Sequence, residues 1–260
     1  MAARINDEIA YLNNGLDKLN VDLQDMVVKT SRIDPAMVQL SPVVRLTRLT
    51  RFKIMYQKWF TGTPKSPPYN HIVQIGDPVL RRKAKTIDPS AISEEPMQKL
   101  LSRLYQVMKT SGMAGLCAPQ LGVSLRVFAI QFPSKRNYEF PLLYEKRQME
   151  FIPLQVWINP QMKILDYTKV TDEESCESMK GFSAELPRYS KVLLTGLDHE
   201  GKEKKWEAKG WSARIVQHEM DHLDGKFYTD HMNPESLCCV HWDAVNKMEG
   251  RIFTTFMINK

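Results

Sequence analysis

Two histidines four residues apart, His218 and His222, constrain the fold of this chain more than any other feature. They lie in Trp211–Leu223, a segment whose apolar residues recur at the spacing of a buried helix. Residues i and i+4 share one face of a helix, so both imidazoles can bind the same metal ion. Glu219 lies about 100° further around the helix, within reach of a water molecule on that ion but not of the ion itself. The segment therefore predicts a metal-binding helix, the alternative being two inert histidines at this spacing by chance.

The identity of a third ligand distinguishes the reaction classes open to such a helix. A secreted-type zinc protease continues with a third histidine, whereas this chain has Tyr228 at that position. A protease with a downstream glutamate would have to use Glu235 or Glu249, and neither lies in a helical motif. Cys176 lies upstream in a polar bend, and a thiolate with two imidazoles leaves one coordination position open for water. We therefore expect Cys176 to be the third ligand, although a free cysteine is commonly just a small buried residue.

The order of the predicted elements indicates the fold class. One packing helix is expected over residues 97–108, after Pro96. Short strand signals follow, separated by Pro, Gly or charged turns, over Arg126–Gln131, Val156–Asn159, Lys163–Val170, Lys191–Leu197 and Lys204–Glu207. Strands that come first, with a buried helix after them, predict an α+β fold rather than a doubly wound sheet. We expect antiparallel β-sheets packed around the central helix that carries His-Glu-x-x-His.

Three segments of the chain differ in their patterning. Residues 1–36 carry apolar residues at heptad spacing interrupted by Gly15, which predicts an amphipathic extension or a partner-binding helix. Residues 37–68 are basic and apolar, contain no Asp or Glu, and end in a Pro-rich linker. Such a segment is typical of a mitochondrial presequence, with translation starting at Met37, or else of a helix on a membrane surface. Residues 69–260 form the expected catalytic domain.

Composition narrows the class of protein further. The net charge of +6 is modest and suits many partners, ribosomal RNA among them. No stretch approaches the roughly 18–20 apolar residues of a membrane helix, so we expect no transmembrane segment. Four cysteines and no secretory signal predict a reducing compartment. No RNA-recognition signature with stacked aromatics is present, so direct nucleic-acid recognition is not expected.

Three short segments together resemble the peptide deformylase family. Their sequences are Gly115-Leu-Cys-Ala-Pro-Gln120, Glu174-Ser-Cys-Glu-Ser178 and Gln217-His-Glu-Met-Asp-His222. Their order and spacing are similar to those of the family across about residues 72–232. The second segment, together with residues 213–217 just before the His-Glu-Met-Asp-His motif, resembles the mitochondrial branch found in animals.

The chain departs from the family pattern at three positions. Met113 stands where the first segment usually has a glycine, and Ser175 and Glu177 stand where the second usually has Gly and Leu. Animal mitochondrial members resemble this chain at Glu177. Ser175 is expected beside the substrate, where a side chain could change the loop geometry and lower turnover without loss of the metal.

The resemblance implies hydrolysis of the formyl group on the N-terminal methionine of nascent peptides. Water activated by the metal attacks the formyl carbonyl, with Glu219 acting as general base and then as general acid. The Gln120 side-chain amide and the Glu177 backbone N–H are implied as donors to the oxyanion. Gly115 is expected to let an extended peptide pair with the backbone as an added strand, the alternative being a plain turn glycine.

The remaining expectations concern the substrate pocket, the cofactor and the partners. Trp211 and Ile215 are candidates for the walls of a methionine pocket, or else pack in the core. One divalent ion per chain is implied, and Fe²⁺, Zn²⁺ and Co²⁺ all suit the ligands. The implied partners are N-formylmethionyl nascent peptides in the mitochondrial matrix, with the mitochondrial ribosome surface and a homodimer left open. Two rival hypotheses are a zinc endopeptidase and a non-catalytic ribosome- or RNA-binding protein.

Overall fold

The computed structural model describes residues 66–254 and residue 256. These residues belong to one unit of the chain, Lys65–Lys260. The predicted extension over residues 1–36 and nearly all of the predicted basic segment over residues 37–68 lie outside the described residues. Within the described part, no helix has both the length and the apolar character needed to cross a membrane.

In residues 66–254, six strands form one antiparallel sheet. They are β1 Gly115–Cys117, β2 Val127–Phe132, β3 Ile152–Ser175, β4 Phe182–Leu197, β5 Glu203–Lys209 and β6 Cys238–Cys239. The strands pair in the order β1-β2-β3-β4-β5, and β6 pairs with the start of β4. The prediction of an α+β fold with antiparallel strands is confirmed, although the strands form one continuous sheet where several were expected.

The strand β3 is continuous where the sequence pattern predicted two shorter strands. Its pairing with β4 changes register between Ile158 and Gln161 and again around Asp166. A bulge places an extra residue in one strand, so the alternation of inward and outward side chains changes phase there. One bent strand therefore has the sequence pattern of two separate strands. With β4 it forms a long hairpin, and the turn of that hairpin holds Cys176.

Four α-helices accompany the sheet within the part of the chain that the structure describes. They are α1 Glu95–Ser111, α2 Pro141–Lys146, α3 Gly210–Leu223 and α4 Trp242–Lys247. The two helices predicted from apolar spacing, α1 and α3, are confirmed. Pro96 lies in the first turn of α1, where a backbone N–H would have no partner within the helix, so its lack of an N–H costs nothing. The helix ends at Gly112, which adopts the left-handed conformation.

The two long helices, α1 and α3, pack on opposite faces of the sheet, so both faces of β2 are buried. Phe128 and Ile130 lie in the apolar cluster that contains α3, whereas Val127 and Ala129 lie in the cluster that contains α1. This division follows from the alternation of side chains along a strand. Helix α3 is therefore held inside the fold, and its polar residues occupy fixed positions within an apolar setting.

Candidate metal centre

Helix α3 carries two histidines on one face, as predicted. The rings of His218 and His222 lie 4.9 Å apart between centroids, with their planes at 77°. The helix ends at Asp224 and Gly225, and the chain after it passes close to another loop. Gly225 has a φ of +73°, and a Cβ there would lie 2.9 Å from the Arg81 carbonyl carbon. The glycine therefore lets the end of the metal helix pack directly against backbone.

Cys176 lies in the β3–β4 turn and points toward both histidines. Its Sγ is 3.2 Å from His222 Nε2, and one ligand atom from each of Cys176, His218 and His222 lies within 4.8 Å of the others. Bond lengths of about 2.3 Å to sulfur and 2.0–2.1 Å to nitrogen put tetrahedral ligands roughly 3.6 Å apart. A thiolate and two imidazoles are also a donor set that binds divalent transition metals. The three residues therefore fit one such ion in both spacing and chemistry.

His222 is suited to metal binding by its protonation state. It is buried, and burial lowers the pKa of its imidazole well below the ordinary value. The neutral ring is the form that binds metals. Its other nitrogen, Nδ1, is buried and has no hydrogen-bond partner among the described residues.

Glu174 orients His218. Its Oε2 lies 3.0 Å from His218 Nδ1, so a proton on Nδ1 leaves Nε2 free to face the site. Burial by itself raises the pKa of the Glu174 carboxyl, but hydrogen bonds from His218 and Arg188 outweigh it and hold the pKa well below the usual range. The side chain is therefore a carboxylate, the form that fixes the tautomer of a metal-binding histidine.

Two buried arginines hold that carboxylate in place. Arg188 donates to both oxygens of Glu174 at 2.9 and 3.0 Å, and its third nitrogen donates to Asp221 at 2.6 Å. Arg214 donates to Glu174 Oε1 at 2.8 Å and to the backbone carbonyls of the β3–β4 hairpin. The guanidinium of Arg214 is therefore buried against Glu174.

Glu219 lies in the centre of the site with its carboxylate against β1. Burial raises the pKa of this carboxyl to about 7, and its Oε2 has no hydrogen-bond partner among the described residues. A Cβ added to Gly115 would lie 2.7 Å from the Glu219 carboxyl carbon. Residue 115 therefore has to be glycine for the carboxylate to occupy this position, a reason that the sequence pattern alone did not reveal.

The carboxamide of Gln120 has a fixed orientation beside Cys176 Sγ. Its Oε1 accepts from the Cys117 backbone N–H at 3.0 Å and from the Cys117 thiol at 3.4 Å. Its Nε2 donates to Cys176 Sγ at 3.6 Å and to Ser178 Oγ at 3.2 Å. Burial raises the pKa of the Cys117 thiol well above its ordinary value, so that group stays protonated and donates. The amide N–H groups therefore point into the site.

A cavity of about 440 Å³ opens onto these groups. Nine of the ten site residues predicted from the sequence line it, namely Gly115, Gln120, Ser175, Cys176, Glu177, Trp211, Ile215, His218 and Glu219. The tenth, His222, lies beneath Cys176. Among the other lining residues, Arg147, Ser183 and Val240 were not predicted, because they come from segments without a recognisable motif.

Comparisons with known proteins give relatives in both sequence and fold. The sequence model of the polypeptide deformylase family matches residues 69–237. The chain is 44% identical over 184 residues to the mitochondrial peptide deformylase of Homo sapiens, covering 70% of this chain and 76% of that protein. It is 41% identical over 169 residues to peptide deformylase 1A, chloroplastic/mitochondrial, of Arabidopsis thaliana, covering 64% of this chain and 62% of that protein. The crystal structure of peptide deformylase from Thermotoga maritima is similar with a TM-score of 0.53 and 28% identity, over 64% of this chain and 99% of that one.

Proposed function

Because the chain belongs to the polypeptide deformylase family, we propose that it removes the formyl group from the N-terminal formylmethionine of newly made proteins and releases formate. The reaction is the metal-dependent hydrolysis of a linear amide. The observation that carries the proposal is the convergence of Cys176, His218 and His222 beside the buried carboxylate of Glu219 at one cavity.

The three ligands would hold one divalent ion per chain. Cys176, His218 and His222 suit Fe²⁺, Zn²⁺ and Co²⁺ alike, because one thiolate and two imidazoles are acceptable donors to each. When bound, such an ion lowers the pKa of a water molecule and polarises the formyl oxygen. Glu174 keeps His218 in the orientation that binding requires.

Glu219 is proposed to move the proton. Its carboxylate accepts a proton from the attacking water and delivers it to the amide nitrogen as the C–N bond breaks, so that formate and a free N-terminal amine leave. A pKa of about 7 allows the same group to accept and then release a proton near neutral pH. The absence of a hydrogen-bond partner for Oε2 within the described residues leaves that oxygen available for the water.

Gln120 and Glu177 are proposed to stabilise the oxygen anion that develops on the formyl group. The fixed carboxamide of Gln120 directs Nε2 toward Cys176 Sγ, next to the metal position, and toward Ser178 Oγ. Glu177 follows Cys176 directly in the turn and lines the cavity, where its backbone N–H is the second proposed donor. Donors that are oriented before the reaction need no reorganisation in the transition state.

The peptide is proposed to bind along β1, with its methionine side chain against α3. Gly115 lies on β1 at the end of the pairing order, and among the described strands β1 pairs with β2 only, which leaves its other edge available to an extended peptide. Trp211 and Ile215 are the apolar residues of α3 that line the cavity and would contact the methionine. Ser175 lies at the end of β3 beside Cys176 and would contact the substrate backbone.

Formate release from formyl-Met-Ala tests this function. The unaltered chain should release formate, Glu219→Ala should lose about 10²–10⁴ in rate while keeping its metal, and Cys176→Ala should lose the metal itself. Cleavage of internal peptide bonds, with metal retained in Cys176→Ala, would instead indicate a zinc endopeptidase. Absence of both activities would favour a non-catalytic binding protein.

The chain is proposed to act in the mitochondrial matrix. The human relative is a mitochondrial protein and the plant relative a chloroplastic/mitochondrial one, which supports a mitochondrial location. The acid-free basic segment over residues 37–68 has the composition of a presequence. Mass spectrometry of the mature N terminus, on protein from isolated mitochondria, should find the chain beginning after part or all of this segment. Two separate measurements test the proposed partners. Co-sedimentation with mitochondrial ribosomes tests ribosome binding, and light scattering tests dimer formation.

A further inference from the structure

A segment outside the family match forms part of the wall of the active-site cavity. The match ends at residue 237, and β6 and α4 follow it. Strand β6 pairs with the start of β4, where Cys238 lies opposite Ser183 and Cys239 opposite Phe182. The next residue, Val240, donates its N–H to the Gly181 carbonyl at 3.0 Å. The segment is therefore anchored beside the turn that holds the third proposed ligand.

Val240 faces the cavity and is open to solvent. Val240 lines the cavity together with Ser183 and is 49% exposed. Val240 begins the turn that follows β6, directly after the two residues that pair with Phe182 and Ser183. An exposed aliphatic side chain at the edge of a binding cavity is available to contact a ligand.

The chemistry of the surrounding wall makes this position distinctive. The lining residues from β3, β4 and the turn between them are polar or ionisable: Glu173, Glu174, Ser175, Cys176, Glu177 and Ser183. The methionine-binding residues proposed above, Trp211 and Ile215, come from a different element, α3. Val240 thus adds an apolar side chain next to the polar wall formed by β3, β4 and their turn.

We propose that Val240 is a specificity-determining residue that contacts the side chain of the second residue of the peptide and favours an apolar one. The proposal rests on the proposed function, because it takes the occupant to be the peptide that continues beyond the formylmethionine. Successive side chains of an extended peptide point in opposite directions. With the methionine directed toward α3, the next side chain is directed away from α3 and toward the sheet side, where Val240 lies.

The test compares formyl-Met-Leu-Ser, formyl-Met-Ser-Ser and formylmethionine amide, which has no second residue. The unaltered chain should prefer Leu over Ser by about three- to tenfold in kcat/KM, as expected for burying one or two methyl-sized groups. Val240→Ser should abolish that preference and leave turnover of formylmethionine amide unchanged. Val240→Ile should keep the preference, which guards against an effect of altered folding.

Leu237→Ser is the matched control, because Leu237 is 41% exposed in the same segment and does not line the cavity. This variant should keep the full preference for Leu. A Leu preference that survives in Val240→Ser, or an equal loss on all three substrates, would overturn the assignment of Val240. If the unaltered chain released no formate even from formylmethionine amide, the proposed function would fail, and the inference with it.

Discussion

At the scale of single residues, space around the Glu219 carboxylate is the tightest constraint in the site. The backbone of Gly115 occupies the position where a side chain would displace that carboxylate. A buried carboxylate cannot move far without losing its alignment with the substrate, and misplacement of about 1 Å can cost 10²-fold in rate.

Gly115→Ala should therefore inactivate the enzyme without removing its metal. We expect formate release to fall by about 10²-fold or more, because the methyl group displaces Glu219 rather than any of the three ligands. Metal content by mass spectrometry, measured beside the rate, should remain at one ion per chain. Near-normal turnover in this variant would contradict the role given to Glu219.

Glu174→Gln should weaken metal retention. The change removes the charge that Arg188 and Arg214 share and weakens the hydrogen bond to His218, and loss of such a partner typically costs 10–100-fold in metal affinity. The rate of metal transfer to a chelator measures the effect.

Glu173→Gln is its control, since it makes the same chemical change at the neighbouring, exposed cavity residue. That variant should release metal as slowly as the unaltered chain. Equal rates for both variants would show that Glu174 does not act on His218.

The sequence allowed the ligand residues to be predicted but not the residues that orient them. His218 and His222 are separated by one helical turn, so their spacing alone implies a shared face. Glu174 and Arg214 are forty residues apart and meet only through the packing of α3 on the hairpin. A local sequence pattern does not show such a pair, so the contact between Glu174 and Arg214 could not be predicted.

At the scale of elements, the end of α3 depends on a glycine more strictly than the end of α1 does. Gly225 and Gly112 both have positive φ, at +73° and +67°. A Cβ at Gly112 would meet nothing within 4 Å, whereas one at Gly225 would meet the backbone of Arg81 and Arg82. Both replacements incur backbone strain, and only the second also incurs a collision.

Gly225→Ala should consequently destabilise the protein more than Gly112→Ala. We expect about 1 kcal/mol of lost unfolding free energy for Gly112→Ala from the left-handed backbone alone, and clearly more for Gly225→Ala. Urea denaturation of the two variants in parallel gives the comparison. The opposite order would contradict the packing of the helix end against that loop.

Long elements with an unbroken side-chain periodicity could be predicted from the sequence, whereas very short or bulged elements could not. Helices α1 and α3 carry unbroken apolar periodicity and were expected in nearly the observed positions. Strand β1 has three residues, too few for any alternation to be recognised, and it was not expected. Bulges in β3 changed the phase of its side chains and gave one strand the appearance of two.

At the scale of the whole molecule, the described contacts of the site all arise within one unit of the chain. The sheet, both apolar clusters and the proposed ligands belong to Lys65–Lys260. The described residues that line the cavity likewise belong to this unit. The residues that match the family model, 69–237, also lie within this unit, so we expect the function to reside there.

A chain that begins at Lys65 should retain the fold and the activity of the full chain. We expect a thermal midpoint for the site-bearing unit within about 2 °C of that of the full chain, a shift smaller than a loss of 1 kcal/mol would cause. Formate release per metal ion should be equal for the two chains. A large loss of either property would assign residues 1–64 a structural part in the catalytic unit.

The central claim is that a sulfur atom from the β3–β4 turn and two nitrogen atoms from α3 bind one ion. X-ray absorption at the metal edge of the zinc-loaded protein measures these ligands directly. The account predicts one sulfur at about 2.3 Å and two imidazole nitrogens at about 2.0–2.1 Å, with the sulfur contribution absent from any zinc that Cys176→Ala retains. A spectrum of the unaltered protein without a sulfur ligand would contradict it.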